Sequence, residues 1–414
     1  MPPRTAAAGD HLPSLLLLPP PPHPATRLAL NTAYEPSLRA AISRLKDDKS
    51  DIEEDGSVLI VALTSSILTG SFIRQKTLSW PYVQSILADI YSIISVISAQ
   101  LSIPTDIHAG PGSVDVRVVL VHHDPSKPAL ADSKPAIEPN NTAVVELATF
   151  AAAYHPWKYI FHPNNEPGYQ LLSTYLKLFE GIQSLRQSQI VVVEGGLAVS
   201  VAPLASPQLS PQTTSHSVVC LGGTFDHLHP GHKLLLTAAA LLLKVPENGT
   251  SNPCQLVIGI TGDELLKRKK YAELVQSWDE RAENTIEFLS SILELSKDGW
   301  KKRQSPLIEK GNDFVARFRD GTIEIHCVVI QDAYGPTITT EDMDALVVSG
   351  ETRGGGNAVN DRRKELGWRR LETFEVDVLD AEGIVHKSSE TQDFASKISS
   401  TAIRKLKAES QSRI

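Results

Sequence analysis

Val218-Val219-Cys220-Leu221-Gly222-Gly223-Thr224-Phe225-Asp226-His227-Leu228-His229-Pro230-Gly231-His232 is the stretch whose reading decides the fold. An apolar, β-prone run enters two glycines, then a turn bearing Thr, Asp and His, then a Leu- and Ala-rich segment that reads as a helix over residues 231–243. Strand, glycine turn and helix in that order predict an α/β unit, whose ligands sit at the carboxyl end of the strand. Glycines let the backbone approach a phosphate, and the first turn of the helix presents free N–H groups to negative charge. His229 and His232, separated by Pro230-Gly231, add two side-chain donors on the same turn. The stretch predicts a nucleoside triphosphate site.

Downstream, the α/β rhythm continues. Apolar strands are expected at residues 255–260, 323–330, 345–349 and 374–378, and a helix at 279–293, giving a mostly parallel five-stranded sheet with flanking helices. Residues 300–321 are charged and contain Gly311 and Gly321, and read as a surface excursion. Upstream, residues 202–217 hold Pro203, Pro207 and Pro211 among Ser, Gln and Thr, the composition of an exposed connector. This divides the chain into an α/β domain over residues 1–200, a linker at 201–216 and a nucleotide-binding domain at 217–414. In the first domain, strands are expected at 14–18, 57–63, 115–122, 144–153, 159–161 and 189–193. Helices are expected at 35–45, 80–101 and 168–187. No motif in this half carries chemistry: His122-His123 and Asn140-Asn141-Thr142 read as strand-end and loop residues.

Composition sets the class. The 414 residues are 41% hydrophobic and 21% charged, ordinary for a globular protein. A net charge of −8 argues against general nucleic-acid or anionic-membrane binding. Cys220, Cys254 and Cys327 form no Cys-x-x-Cys pair and read as small core residues in a reducing compartment. No segment is expected to span a membrane. Leu15 to Leu18 make too short an apolar core for a secretory signal, and the prolines after them spoil an amphipathic presequence. A cytoplasmic location follows by default.

Two signatures carry a family resemblance. Gly222-Gly223-Thr224-Phe225-Asp226-x-x-His229-x-Gly231-His232 resembles the first signature of the HxGH nucleotidyltransferase superfamily, and Ile398-Ser399-Ser400-Thr401-Ala402-Ile403-Arg404 resembles its ISSTxIR element. They bracket one Rossmann-like domain. Between them, Asp263 to Lys269, Gln331-Asp332-Ala333-Tyr334-Gly335-Pro336 and Val347 to Gly355 are similar to segments of eukaryotic pantetheine-phosphate adenylyltransferases. The first half looks only loosely like the N-terminal region of animal CoA synthase.

The resemblance implies AMP transfer from ATP to 4′-phosphopantetheine, giving dephospho-CoA and pyrophosphate. It implies that His229, His232, Lys267 and Arg404 are the catalytic set. ATP would lie against Gly222, Gly223, Thr224, Phe225, Gly231, His232, Arg353, Lys397, Ser399, Ser400 and Thr401. The acceptor would meet Thr224 and Lys267, with Lys269 or Lys270 as competitors for its phosphate. Asp226 is read as holding the turn, since an ionised phosphate needs no base. Asn357, Asn360 and Arg363 face either the site or solvent. Mg²⁺ is expected with ATP, carried by phosphates and water with no protein cage.

Rival readings are a nicotinamide mononucleotide adenylyltransferase, a cytidylyltransferase, or a scaffold for other CoA-pathway enzymes. The first opens with GxFNPxH where this chain has Thr224-Phe225-Asp226; the second usually carries RTxGIST. The intact His229, His232, Lys267 and Arg404 argue against a purely scaffolding role, although association with pathway enzymes is compatible with catalysis. A P-loop for the following kinase step is missing from the sequence, so a monofunctional protein is expected.

Overall fold

The computed structural model describes residues 12–48, 56–69, 77–125, 141–197, 212–246, 252–295, 299–311, 313–379 and 399–411. Its first domain runs β1 (Ser14–Leu18), α1 (Arg27–Lys46), β2 (Ser57–Ser65), α2 (Trp80–Leu101), β3 (Val114–His122), β4 (Val145–Glu146), α3 (Leu147–Ala153), β5 (Ile160–Pro163), α4 (Glu166–Phe179) and β6 (Ile190–Val193). The strands form one parallel sheet in the order β4-β3-β2-β1-β5-β6. Leu15 to Leu18 and Leu59 to Leu63 are buried throughout, as strands covered on both faces must be.

The second domain runs β7 (Val218–Gly223), α5 (Pro230–Ala240), β8 (Cys254–Thr261), α6 (Asp263–Leu266), α7 (Trp278–Leu293), α8 (Gly299–Gln304), β9 (Ile308–Lys310), β10 (Phe314–Phe318), β11 (Ile323–Ile330), β12 (Ala345–Ser349), α9 (Arg353–Glu365), β13 (Glu372–Val376) and α10 (Ser400–Gln411). Its sheet order is β13-β12-β7-β8-β11-β10-β9. The five expected strands are there and parallel. The expected surface excursion is instead sheet: β9 and β10 extend the β11 edge antiparallel. In β10, Phe314, Ala316 and Phe318 alternate inward, a period-2 pattern that the surrounding charges conceal.

Other expectations need correction. Residues 147–153, read as part of a strand, form helix α3; an apolar run of that length fits either element, and the alanines favour the helix. Helix α4 begins at the Asn165 cap and stops at Phe179, before Gly181 turns the chain at φ +80°. Helix α1 starts eight residues earlier than expected, where the Thr26 hydroxyl accepts from Ala29 N–H. The described part of the linker is anchored: Thr213 N–H donates to Leu78 O at 3.0 Å, and His216 bridges to Leu243.

The two sheets share one hydrophobic core. Its axis is α2, packed between α1 and α5 with sixteen of its 22 residues buried. By length and composition α2 is apolar enough to cross a membrane, contrary to the sequence reading, yet 83% of its most apolar window is buried inside the protein. An all-round apolar helix is what a position between two domains requires. Cys220, Cys254 and Cys327 are free and buried, and burial pushes the Cys220 and Cys254 thiols up to about 12.

Candidate active site

In the second sheet the strand order reverses between β7 and β12, so the crevice at the carboxyl end of β7 is the topological switch point. The turn from Thr224 to His229 lies there. Phe225 and His227 adopt φ of +52° and +46°, conformations costly for non-glycine residues and held only when their surroundings fix them. Four groups do so. Arg281, fully buried on α7, donates to Thr224 O at 2.7 Å, Gln276 O at 3.0 Å and Asp263 Oδ1 at 2.6 Å. Gln276 accepts from His227 N–H at 2.8 Å, and its own N–H reaches Asp226 Oδ1 at 3.0 Å. Thr261 Oγ1 donates to Gly223 O at 3.2 Å. The Asp226 carboxylate, with no exposure, pairs with the Arg404 guanidinium.

That last pair joins the two signatures across 178 residues of chain. Arg404 is 1% exposed and also donates to Lys270 O at 3.1 Å and Thr401 Oγ1 at 3.2 Å. It therefore faces Asp226 rather than an open anion site. Asp226 holds the turn, as its sequence context suggested.

His229 caps α5, whose first residue is Pro230, a position where proline loses no needed donor. The cap is the ring itself: His229 Nδ1 accepts from Gly231 N–H at 3.2 Å. A neutral ring that accepts at Nδ1 carries its proton on Nε2, so His229 is a pre-set Nε2–H donor. Helix cap and phosphate donor are one residue here. Gly231 makes this geometry available, because a Cβ there would stand 3.2 Å from His229 Cε1. The His232 ring stacks on His229 at 3.9 Å between centroids and lies 5.4 Å from Phe225, which is wholly buried.

Both imidazoles are held neutral. Burial comes first for both; the charge of His232 then pushes His229 well below its usual range, and the charges of His227 and Lys269 push His232 down to about 3. His232 Nδ1 is buried and has no partner among the described residues, an orphaned polar atom at the site.

The cations differ in availability. Lys267 is exposed and bound to Glu264 at 2.6 Å. Lys269 is exposed and near enough for its charge to depress His232. Arg353 is tied to Glu375 through Nε at 2.6 Å on the exposed rim. Gly222 and Gly223 end β7, with Ile330 and Phe225 packed against them. Ser399 Oγ accepts from Ala402 N–H at 3.2 Å, capping α10, which begins at Ser400. Lys397 lies outside the described residues. Arg363 and Asn360 face neither site nor solvent: buried Arg363 donates to the carbonyls of Thr337, Thr340, Glu341 and Arg369, and Asn360 bridges Leu371. Asp332 caps its own turn by accepting from Tyr334 and Gly335 N–H.

Sequence reasoning missed Arg281, Gln276 and Lys233. Lys233 follows His232 directly yet is fully buried, its Nζ donating to Asp115 of the first domain and to Thr105 O at 2.9 Å. A lysine in a Leu-rich helix was the one available signal.

Comparison with known proteins follows this division. A cytidylyltransferase-like family matches residues 220–406, and a domain of unknown function (DUF8446) matches residues 1–199. An uncharacterised protein of Schizosaccharomyces pombe is 34% identical over 47% of this chain and 49% of its own length. The phosphopantetheine adenylyltransferase of Saccharomyces cerevisiae is 33% identical over 46% of this chain and 48% of its own. That of Pyrococcus abyssi is 32% identical over 39% of this chain and 78% of its own. The matched stretch thus spans about half the length of the two yeast proteins.

Proposed function

The chain belongs to the cytidylyltransferase-like HxGH nucleotidyltransferases, as a fungal-type relative of the phosphopantetheine adenylyltransferases, and from that membership we propose that it transfers AMP from ATP to 4′-phosphopantetheine. The observation that carries the reading is the neutral His229–His232 pair at the N-terminus of α5, locked to the N-terminus of α10 by Asp226–Arg404. Helix starts and ring donors of this kind are the groups that a triphosphate's charge calls for.

In the proposed reaction a phosphate oxygen of the acceptor attacks the α-phosphorus of ATP in line. A new P–O bond forms, the bond to the β-phosphate bridging oxygen breaks, and pyrophosphate leaves with that electron pair. The acceptor is already ionised, so positioning and charge stabilisation are the chain's tasks. His229 Nε2–H and His232 would donate to phosphate oxygens as charge builds, and the free N–H groups near Ser400 and Thr401 would meet the departing pyrophosphate. Mg²⁺ would neutralise charge on the triphosphate. We assign that ion to phosphate oxygens and water, the usual partners of Mg²⁺ with a nucleoside triphosphate. The three free thiols support a reducing, cytoplasmic setting.

Lys269 is the better candidate for the acceptor phosphate, because its charge reaches His232, while the exposed Lys267 turns to Glu264. Lys269→Ala is expected to raise KM for the acceptor about tenfold, the scale of one charge-assisted contact, and Lys267→Ala to change it much less. Steady-state kinetics with each variant checks the order.

The reading is tested by pyrophosphate release from purified full-length protein, with ATP or CTP paired in turn with 4′-phosphopantetheine, nicotinamide mononucleotide and a phosphoalcohol. Release confined to ATP with 4′-phosphopantetheine is expected. Release with another pair alone, or none with phosphopantetheine, overturns it.

A further inference from the structure

The first domain repeats the strand order of the second. Leaving aside the two-residue β4 and the antiparallel β9 and β10, its order β3-β2-β1-β5-β6 matches β11-β8-β7-β12-β13, with the first strand central in both. The turns after those first strands differ in chemistry. Where β7 ends in Gly222-Gly223-Thr224, β1 is followed by Pro19 to Pro22, four residues with no N–H to offer an anion. Pro19 O is moreover taken by the Tyr34 hydroxyl at 2.8 Å. The first domain lacks an amide cradle at its own switch point. What it presents to its neighbour is a pair of buried carboxylates.

We propose that the first domain is a positioning subunit for the candidate site, acting through Asp106 and Asp115. The inference rests on the AMP-transfer reading above and assigns a role to residues 1–199. Lys233, adjacent to His232, makes three Nζ contacts, all to the first domain: Asp115, Thr105 O at 2.9 Å and Val116 O at 3.3 Å. Asp115 is also bound by Arg117 at 2.6 Å, and Arg117 reaches Glu287 on α7 at 2.7 Å. The first turn of α5, directly behind the two imidazoles, is thereby bolted to β3.

Asp106 holds the other side. His227, two residues before His229 and in a left-handed conformation, places Nδ1 at 3.3 Å from Asp106 Oδ2 and Nε2 at 3.0 Å from Leu274 O. Lys407, three residues beyond Arg404 on α10, donates to the same Asp106 oxygen at 3.0 Å and lies 3.1 Å from His227 Nδ1. One carboxylate of the first domain therefore touches both the HxGH turn and the helix of the second signature. Burial alone would raise the Asp106 carboxyl; the His227 hydrogen bond and the Lys407 charge outweigh it and keep it ionised. Phosphoryl transfer rewards such fixation, since a misplacement of about 1 Å costs on the order of 10²-fold in rate.

The test uses the full-length chain carrying Asp106→Asn, Lys407→Met, Lys407→Arg or Asp115→Asn. It reads kcat and KM for ATP, the melting temperature, and the ring ¹⁵N shifts of His229 and His232. Asp106→Asn and Lys407→Met are expected to lower kcat at least tenfold with KM for ATP within threefold, to shift the ring signals, and to melt within a few degrees of the parent. Lys407→Arg is expected to keep at least half the parental kcat. Should Asp115→Asn fail to fold, the Asp106 and Lys407 variants decide. Folded Asp106→Asn with parental kcat and unshifted ring signals overturns the proposal, as does a kcat loss that only follows the unfolded fraction. If the parent itself releases no pyrophosphate, the reaction reading falls alone; the ring shifts of Asp106→Asn against the parent still decide positioning, unshifted signals overturning it.

Discussion

His229 shows how one side chain serves fold and chemistry with different atoms. Its Nδ1 satisfies a helix N–H, which fixes the tautomer, and the fixed tautomer leaves Nε2–H for a ligand. The two tasks separate by substitution. His229→Asn keeps a capping oxygen and removes the distant donor, so it is expected to melt near the parent while turnover falls about 10²–10³, the scale of losing one transition-state donor. His232→Ala, which removes no cap, is expected to cost a similar factor with a small change in stability. Pyrophosphate release and thermal melting measure both. The rings also set a pH dependence. Their folded pKa values lie below the ordinary 6.5, so the unfolded chain takes up protons that the folded chain refuses. Stability is therefore expected to decline as pH falls from about 6.5 toward 3. Urea midpoints at pH 7, 5.5 and 4.5 check the slope, which His232→Gln should flatten.

At the scale of elements, the turn after β7 is shaped by helices that follow it in the chain. Arg281 on α7 reaches back to Thr224 O, and α7 itself starts with a capping box in which Ser277 and Glu280 satisfy each other's backbone N–H. Arg281→Met would leave two carbonyls and Asp263 without their donor. A loss of about 2–3 kcal/mol is expected from urea unfolding, with a larger fall in turnover than the folded fraction explains. Elements with a clear period were legible in sequence: α2 runs over the expected Trp80–Leu101, and β11 and β12 match their expected limits. Residues 147–153 and 308–318 were not. A seven-residue apolar run has too few turns to show its period, and the β10 alternation is diluted by charged neighbours at the sheet edge.

For the whole molecule, the question is why two α/β domains share one core. Trp80 of α2 donates Nε1–H to Ala238 O at 2.8 Å, Gln84 and Asp377 bond each other reciprocally, and Arg303 reaches Ala153 O at 3.1 Å. Residues 212–414 expressed alone would expose the α5 face and leave Lys233 without Asp115. They are expected to aggregate or elute as oligomers on size exclusion, and a soluble, monomeric fragment would contradict the shared core. The sequence by itself determined the parallel sheet around β7, the glycine turn, the pairing of two signatures and the buried thiols. Each of these depends on local pattern or on short motifs with a stated chemistry. Tertiary structure alone decided that Arg404 faces Asp226 and that Asp106 and Asp115 stand behind the HxGH turn. The reason is distance along the chain. Asp106 and Lys407 are 301 residues apart, and no pattern in either neighbourhood encodes the other until α2 brings the two sheets against each other.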